Sequence, residues 1–330
     1  MRWTPIHARI HTLLRANILL PEGTAVLMAV SGGQDSVCMA QLMLDLRAQW
    51  GWHLAIVHCD HNWRSDSTEN VDHVRQLAQQ WQVNCFVETA PAQLAHTEAA
   101  ARSWRYGVFA NLANSHGYRY VVTGHTATDR AETVLYNLLR GSGADGIQAL
   151  SWQRPLSEAC KDIWVTRPLL RLTRQETGQF CQDLNLPIWH DSSNDDLQYR
   201  RNRIRQELMP YLRSHFNPNV ETTLAQTAEI FTAEVAYLEE QAAQLYDAVV
   251  ELIDGHVCIQ QTQFQTAPLA LQRRVARRLL QDLLAQQPNF DHIEKLVALG
   301  NAPQRAQTDP FPGGWIACVE KDWIKLWLPK

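Results

Sequence analysis

Ser31-Gly32-Gly33-Gln34-Asp35-Ser36 is the stretch whose residue types and spacing could do chemistry. Two adjacent glycines let the main chain approach a ligand with no Cβ in between. The N–H groups of such a turn, with a helix N-terminus behind them, attract a phosphate-like anion. Ser31 and Ser36 add hydroxyl donors. Asp35 is an acid where phosphate would sit, which suits a metal ion or the handling of a proton. A second stretch runs from Thr123-Gly124-His125 to Thr133 and sets Asp129 and Glu132 three residues apart. Both carboxylates then lie on one helical face near its start. The helix dipole tolerates anions there, so plain charge optimisation accounts for the pair about as well as a grip on an amine does. A third stretch, His58-Cys59-Asp60-His61, could hold metal ligands. However, His58 and Asp60 fall two apart on extended chain with no partner pair at zinc spacing. A solvated strand end is the simpler reading, and phosphate contact by His61 and Arg64 stands between the two.

The elements around these stretches predict an α/β fold. Ala25 to Val30 is an apolar run rich in valine and reads as a buried parallel strand. The loop follows it directly, and Val37, Met39, Ala40, Met43 and Leu44 continue as a helix. Further strands are expected at 53–59, 83–89 and 118–123, and one at 164–170. Helices are expected at 5–19, 37–49, 67–81, 94–116, 127–140 and 173–185. This alternation predicts a doubly wound parallel sheet with helices on both faces. In such sheets ligands gather beyond the carboxyl ends of strands, and all three polar stretches lie at such ends. Arg140-Gly141-Ser142-Gly143 follows no strand, so a helix C-cap describes it better than a phosphate loop.

The 330 residues exceed one typical domain. The character changes near His215-Phe216-Asn217-Pro218, which places a catalytic domain at 1–215 and a smaller, mainly helical one at 216–330. In the second, helices are expected at 220–250, 269–286 and 290–299, with a hairpin at 315–327. The net charge is −4, so there is no global basic field and any nucleic-acid site must be a local patch. Two arginine groups qualify. Arg200, Arg201, Arg203 and Arg205 stand beside Trp189 and Tyr199, and suit RNA phosphate contacts and stacking. Asp191, Asp195 and Asp196 partly offset them, and a solvated helix face is the ordinary account of such a run. Arg273, Arg274, Arg277 and Arg278 share one face of the helix at 269–286. The seven cysteines are scattered, odd in number and never in a C-x-x-C pair. This counts against a disulfide framework, a zinc knuckle or an iron–sulfur cluster. No stretch approaches a membrane span and no signal peptide is visible, so a reduced, cytoplasmic protein is expected.

Neither the Walker loop nor the dinucleotide fingerprint fits residues 31–36, since no lysine follows and the third glycine is missing. Ser-Gly-Gly-x-Asp-Ser after a strand instead resembles the PP-loop of the ATP pyrophosphatase superfamily, which splits ATP between its α- and β-phosphates. The downstream set is more specific: His58-x-Asp60-His61-x-x-Arg64, Ala101-Arg102-x-x-Arg105-Tyr106, Thr123-Gly124-His125, Asp129-x-x-Glu132-Thr133, Arg140-Gly141, Arg167-Pro168-Leu169-Leu170, Asp191-x-x-Asn194 and Arg201-Asn202-x-Ile204-Arg205. Together they resemble the tRNA(Ile)-lysidine synthetase family over residues 24–213, and more loosely its first helical C-terminal domain beyond. The chain departs from the family where Thr126, Thr128 and Arg130 stand for a second histidine, a second aspartate and a glutamine.

The resemblance implies an AMP-forming ligase. ATP, with Mg2+, would adenylate C2 of the wobble cytidine of a CAU-anticodon tRNA(Ile), and free L-lysine would displace AMP. It implies ATP on Ser31, Gly32, Gly33, Gln34, Asp35 and Ser36, with Asp35 also toward the metal. Asp129 and Glu132 would hold lysine, and Arg105 and Arg205 would contact reacting or phosphate groups. His61, Arg64, Arg201, Arg203, Arg273 and Arg277 would touch tRNA, and a homodimer is the candidate assembly. The alternatives are a thiolase of the same superfamily, against which the missing C-x-x-C pairs count, and a non-catalytic tRNA- or nucleotide-binding protein.

Overall fold

A computed structural model describes residues 3–63, 66–190, 197, 198 and 200–329. Arg64, Asp191, Asn194, Asp195, Asp196 and Tyr199, all singled out above, lie outside the described residues. The chain forms two compact units, Met1–Phe231 and Thr232–Lys330. The division falls inside one long helix, Val220–Val249, rather than at residue 216.

The first unit is built on a six-stranded sheet. Its strands are β1 (Ala25–Ala29), β2 (His53–Asp60), β3 (Asn84–Thr89), β4 (Tyr120–Thr123), β5 (Gln153–Ser157) and β6 (Cys160–Thr166), in the order β3-β2-β1-β4-β6-β5. All neighbours are parallel except β5, which pairs antiparallel with β6 at the edge. Its pairing slips between Pro155 and Ser157. Pro155 has no N–H to give a ladder, so an edge is where such a strand belongs. The strand expected at 164–170 lies earlier, because Pro168 cannot extend it.

Among the described residues nine α-helices and the start of a tenth surround this sheet: α1 (Pro5–Ala16), α2 (Gln34–Trp50), α3 (Ser67–Gln80), α4 (Glu98–His116), α5 (Ala127–Leu139), α6 (Ala144–Ile147), α7 (Arg174–Asp183), α8 (Arg200–Arg203), α9 (Met209–His215) and α10 (Val220–Val249). One apolar cluster takes Val26 and Met28 of β1 with Met39, Met43 and Leu46 of α2. Another, on Leu27 of the same strand, takes Val108 and Phe109 of α4. Successive β1 residues thus feed opposite faces, as a sheet covered on both sides requires. Strand order reverses at β1, whose neighbours are β2 and β4. That is the switch point at which doubly wound sheets open a crevice. The loops after β1 and β4 both empty into it.

The second unit holds α11 (Gln261–Thr266), α12 (Leu269–Leu283) and α13 (Phe290–Ala298) on an antiparallel sheet. The sheet runs β7 (Val250–Ile253), β8 (His256–Gln260), β10 (Trp323–Trp327), β9 (Ile316–Glu320). The hairpin expected at 315–327 is β9–β10. The β7–β8 hairpin was not expected, although Asp254-Gly255 with φ 50 and 76 is a strong two-residue turn signal. Val249, Ile259, Leu279, Leu296, Val319 and Ile324 form its core.

Candidate active site

Gly33 caps α2 from an extended conformation, and Gly32 before it has φ +88, which favours glycine. A Cβ on Gly32 would also stand 2.8 Å from Asn70 Oδ1. The two serines knit the turn. The Ser31 N–H donates to Ser36 Oγ (3.2 Å), the two hydroxyls lie 3.1 Å apart, and Ser36 Oγ donates to the Gly33 carbonyl (2.8 Å). The first N–H groups of α2 have no partner within the helix and remain for an anion. The Gln34 side chain faces elsewhere. Its Nε2 donates to the Arg174 carbonyl (2.6 Å) and Thr177 Oγ1 (2.9 Å), so only its backbone belongs to the anion turn. Asp35 accepts from Thr177 Oγ1 (2.5 Å) and Arg174 Nη1 (3.1 Å). Burial raises its pKa above the usual carboxylate value and Asp129 adds to the rise, while Arg174 and Thr177 oppose it. The structure thus brings α7, to which the sequence assigned no role, against the loop.

Thr126 caps α5 in a reciprocal box. Its N–H and Oγ1 each donate to Asp129 Oδ2 at 2.8 Å, and the Asp129 N–H returns to Thr126 Oγ1 at 3.3 Å. The capping account and the binding account therefore divide the carboxylate between them. Oδ2 closes the helix end, and Oδ1 faces Arg201 (3.3 Å) and Arg205 (3.1 Å). Glu132 is fully buried. It meets Arg205 in a fork, Nε to Oε1 at 2.6 Å and Nη2 to Oε2 at 2.9 Å, and takes Arg201 Nε at 3.3 Å. Burial alone would raise the Asp129 pKa, but Arg201, His125 and Arg205 hold it at about 2. The two arginines come from α8 and from the single π-helical turn, Ile204–Leu208, between α8 and α9. Such turns recur at functional sites. Ile204 and Met209 pack on Ala131 of α5 and fix this segment.

Thr128 and Arg130, two departures from the family pattern, both pair with α10. Thr128 Oγ1 donates to Glu221 Oε2 (2.5 Å), and Arg130, only 1% exposed, reaches Glu229 (2.5 Å). Glu229 also accepts from Trp152 Nε1. A buried guanidinium stays charged and must be matched, and α10 supplies the match.

A cationic wall stands beside the carboxylates. Arg102 and Arg154 lie over the Tyr106 ring at 4.8 and 5.0 Å. Arg167 is 1% exposed, with its pKa lowered to about 10 by burial and by the neighbouring Arg154 and Arg102. Arg105 has its Nε buried without a hydrogen-bond partner among the described residues, and burial lowers its pKa. It faces Cys59, whose thiol burial pushes up to about 12. Crowded arginines with so little negative charge among them suit an anionic ligand. Arg102 and Arg167 stand within the family-like motifs Ala101-Arg102-x-x-Arg105-Tyr106 and Arg167-Pro168-Leu169-Leu170, but residue type and spacing alone give them no task.

His125 bonds Thr123 Oγ1 through Nδ1 (2.8 Å). Burial lowers its pKa to about 3, with Arg167, Arg201 and Arg102 reinforcing and Asp129 opposing. An unfolded histidine protonates near 6.5, so below that pH the unfolded state binds the extra proton. Stability should therefore fall as pH drops toward 3, by up to about 1.4 kcal/mol per unit. Urea titrations between about pH 6 and pH 4 should show this slope flattened in His125→Gln.

The remaining expected residues lie outside this centre. His58 is buried, with Nδ1 2.9 Å from the Val30 carbonyl, and ties β2 to β1. Asp60 accepts the Asn62 N–H (2.8 Å). His61 packs among aromatic rings. Arg203 is exposed beside Glu207 (3.6 Å). In the second unit Arg273 forks onto Glu294 (2.6 and 3.0 Å), and Arg274 and Arg277 both meet Glu239. Arg278 lies over Tyr246. The face expected to be a basic patch is thus largely ion-paired. No group of three metal-ligating side chains occurs among the described residues, and no helix among them is long and apolar enough to cross a membrane.

Residues 4–212 match the PP-loop domain family. A U34-tRNA thiolase of Methanococcus maripaludis, solved with its [4Fe-4S] cluster, shares the fold at TM-score 0.56 and 15% identity, over 68% of this chain and 77% of that one. The tRNA(Ile)-lysidine synthase of Nostoc sp. is 54% identical over 99% of this chain and 98% of its own length. That of Synechocystis sp. is 48% identical over 98% of both. The chloroplastic tRNA(Ile)-lysidine synthase of Zygnema circumcarinatum is 33% identical over 87% of this chain and 78% of its own. With a PP-loop at the switch point of its sheet and relatives matched along nearly the whole chain, the protein belongs to the tRNA(Ile)-lysidine synthase family, ATP-using ligases that modify tRNA.

Proposed function

We propose that the chain adenylates the C2 oxygen of the wobble cytidine of a CAU-anticodon tRNA(Ile) with ATP, releasing pyrophosphate. The ε-amine of free L-lysine then attacks C2, AMP leaves, and the amine gives up a proton. The observation that carries this reading is the pair Asp129 and Glu132, side by side near the Ser31–Ser36 turn and both in ion pairs with Arg201 and Arg205. Two carboxylates that hold guanidiniums can hold an ammonium. Ser31, Gly32, Gly33, Ser36 and the Gln34 backbone would cradle ATP phosphates. Arg105, Arg205 and the wall around Tyr106 would take negative charge on phosphate as it shifts toward the leaving groups. Mg2+ usually keeps several waters and takes one or two carboxylates plus substrate phosphates. Asp35 beside the loop would supply that carboxylate, giving up Arg174 to do so, and the ion would screen the phosphates from one another.

In this reading residues 1–215 are catalytic and 216–330 bind tRNA, with His61, Arg64, Arg201 and Arg203 as contacts in the first part. Arg273 and Arg277 would have to exchange their glutamates for phosphates. On the same reading the reaction is cytoplasmic. The test is mass spectrometry of an unmodified CAU-anticodon tRNA(Ile) transcript after incubation with protein, ATP, Mg2+ and lysine. A lysine-sized gain on the wobble cytidine is expected. ATP cleaved to AMP with no gain would overturn the choice of nucleophile or RNA.

A further inference from the structure

Four aromatic rings gather at the carboxyl end of β2. His61 meets Trp104 of α4 edge-on (centroids 5.1 Å, 66°) and Trp63 at a tilt (5.2 Å). Trp63 in turn stacks on His96 (5.0 Å, 20°). Asn62 between His61 and Trp63 has φ 53, and Asp60 fixes that turn through the Asn62 N–H. Trp104 packs against the apolar cluster of β1 and α4. Trp63 belongs to none of the apolar clusters among the described residues, and His96 is exposed. A tryptophan face covered mainly by a solvated imidazole is not explained by core packing.

The position of the cluster says what it could hold. Glu98, at the start of α4 two residues after His96, lies 3.8 Å from Arg201, which itself contacts Asp129 and Glu132. Arg105 follows Trp104 directly. The aromatic rim therefore borders the carboxylate–arginine centre on the side of the arginine-rich helix. An enzyme that reacts at a base must take that base out of its stack. Single-stranded RNA bases so freed are held on aromatic faces, which are tolerant of sequence.

We propose that Trp63, backed by His61 and Trp104, is a stacking platform for an anticodon-loop base of the RNA, which takes the place of the His96 imidazole. The proposal rests on the tRNA-modifying reading above. The adenine of ATP is the other planar base at hand. The half-buried Trp63 face, covered by the exposed His96 rather than by the core, and the neighbouring arginines favour the RNA base over a nucleotide held in the crevice.

The test compares Trp63→Ala, Trp63→Leu and Trp63→Phe in the full chain. It reads the KM for tRNA, ATP and lysine, and the Kd for an anticodon stem-loop RNA without ATP. The alanine and leucine variants should weaken both RNA measures about tenfold, as loss of one base stack does. ATP and lysine KM should not move, and phenylalanine should restore RNA binding nearly fully. Leucine behaving like phenylalanine would mean a packing role and overturn the platform. A raised ATP KM with unchanged RNA binding would hand the face to adenine and overturn it too. Wild-type protein that binds the stem-loop but leaves lysine unattached would sink the functional reading instead, while the comparison of variants for RNA binding still stands.

Discussion

Gly124→Ala should abolish most of the ATP-dependent activity while leaving the rest of the sheet folded. Gly124 directly follows β4 at the switch point. A Cβ there would stand 2.7 Å from the Asp35 carbonyl oxygen, 2.8 Å from its carbon and 2.9 Å from the Ser36 nitrogen. All three are backbone atoms of the first turn of α2, so no side chain can swing aside. Either β4 or the anion turn must give way. Overpacking of this kind costs about 1–3 kcal/mol. The larger effect is geometric, because a displacement of about 1 Å at a reacting centre costs on the order of 100-fold in rate. We expect kcat/KM for ATP to drop by about that factor, with the urea midpoint lowered modestly. Gly107→Ala is the control. It lies inside α4 with nothing within 4 Å of the new Cβ, and should be neutral or stabilising by about 0.5–1 kcal/mol. Equal behaviour of the two variants would refute the close approach as the reason for glycine at 124.

That contact also marks what the sequence could and could not disclose. Ser31–Ser36 was legible because a strand, two glycines and a helix start each carry their own local signal. Asp129 and Glu132 were legible as a same-face pair, since helical spacing alone places them. What binds them was not. Arg201 and Arg205 lie some seventy residues downstream, and although the family motif sets them apart from Arg203, which turns out to solvent, no local pattern shows that they meet these two carboxylates. The π turn at Ile204–Leu208 has no sequence period to reveal it. Likewise, Arg174 and Thr177 on α7 reach Asp35 only through the fold. In the second unit, arginine spacing correctly placed a shared face but could not show that Glu239 and Glu294 occupy it. Pairing across long sequence separation is a property of packing, and patterns of period 2 or 3.6 are blind to it.

Glu132→Gln should be the most destabilising single change in the first unit. The carboxylate is buried and answers two guanidiniums, one of them in a fork. Removing its charge leaves Arg201 and Arg205 sharing Asp129, with only the exposed Glu98 besides on Arg201, and breaking a buried pair from one side costs about 3–5 kcal/mol. Urea unfolding at neutral pH measures this directly. The double change Glu132→Gln with Arg205→Gln separates the two roles of the pair, because removing both partners spares the desolvation cost of an orphaned charge. Stability should largely return. Lysine use should not, if these carboxylates are the ammonium site.

Asp129→Asn tests that site with less strain, since an amide oxygen can still accept the Thr126 N–H that closes the helix. A lysine KM raised by about 100-fold is expected, on the scale of two charge-assisted hydrogen bonds, and an unchanged lysine KM would refute the assignment. The same charge count bears on substrate order. The two buried carboxylates already face two guanidiniums, so an arriving ammonium makes three cations for them, with only the exposed Glu98 on Arg201 as a further anion. One arginine must then turn to a phosphate. Lysine should accordingly bind more tightly once ATP and tRNA have brought phosphates to the cleft than it does to the protein alone.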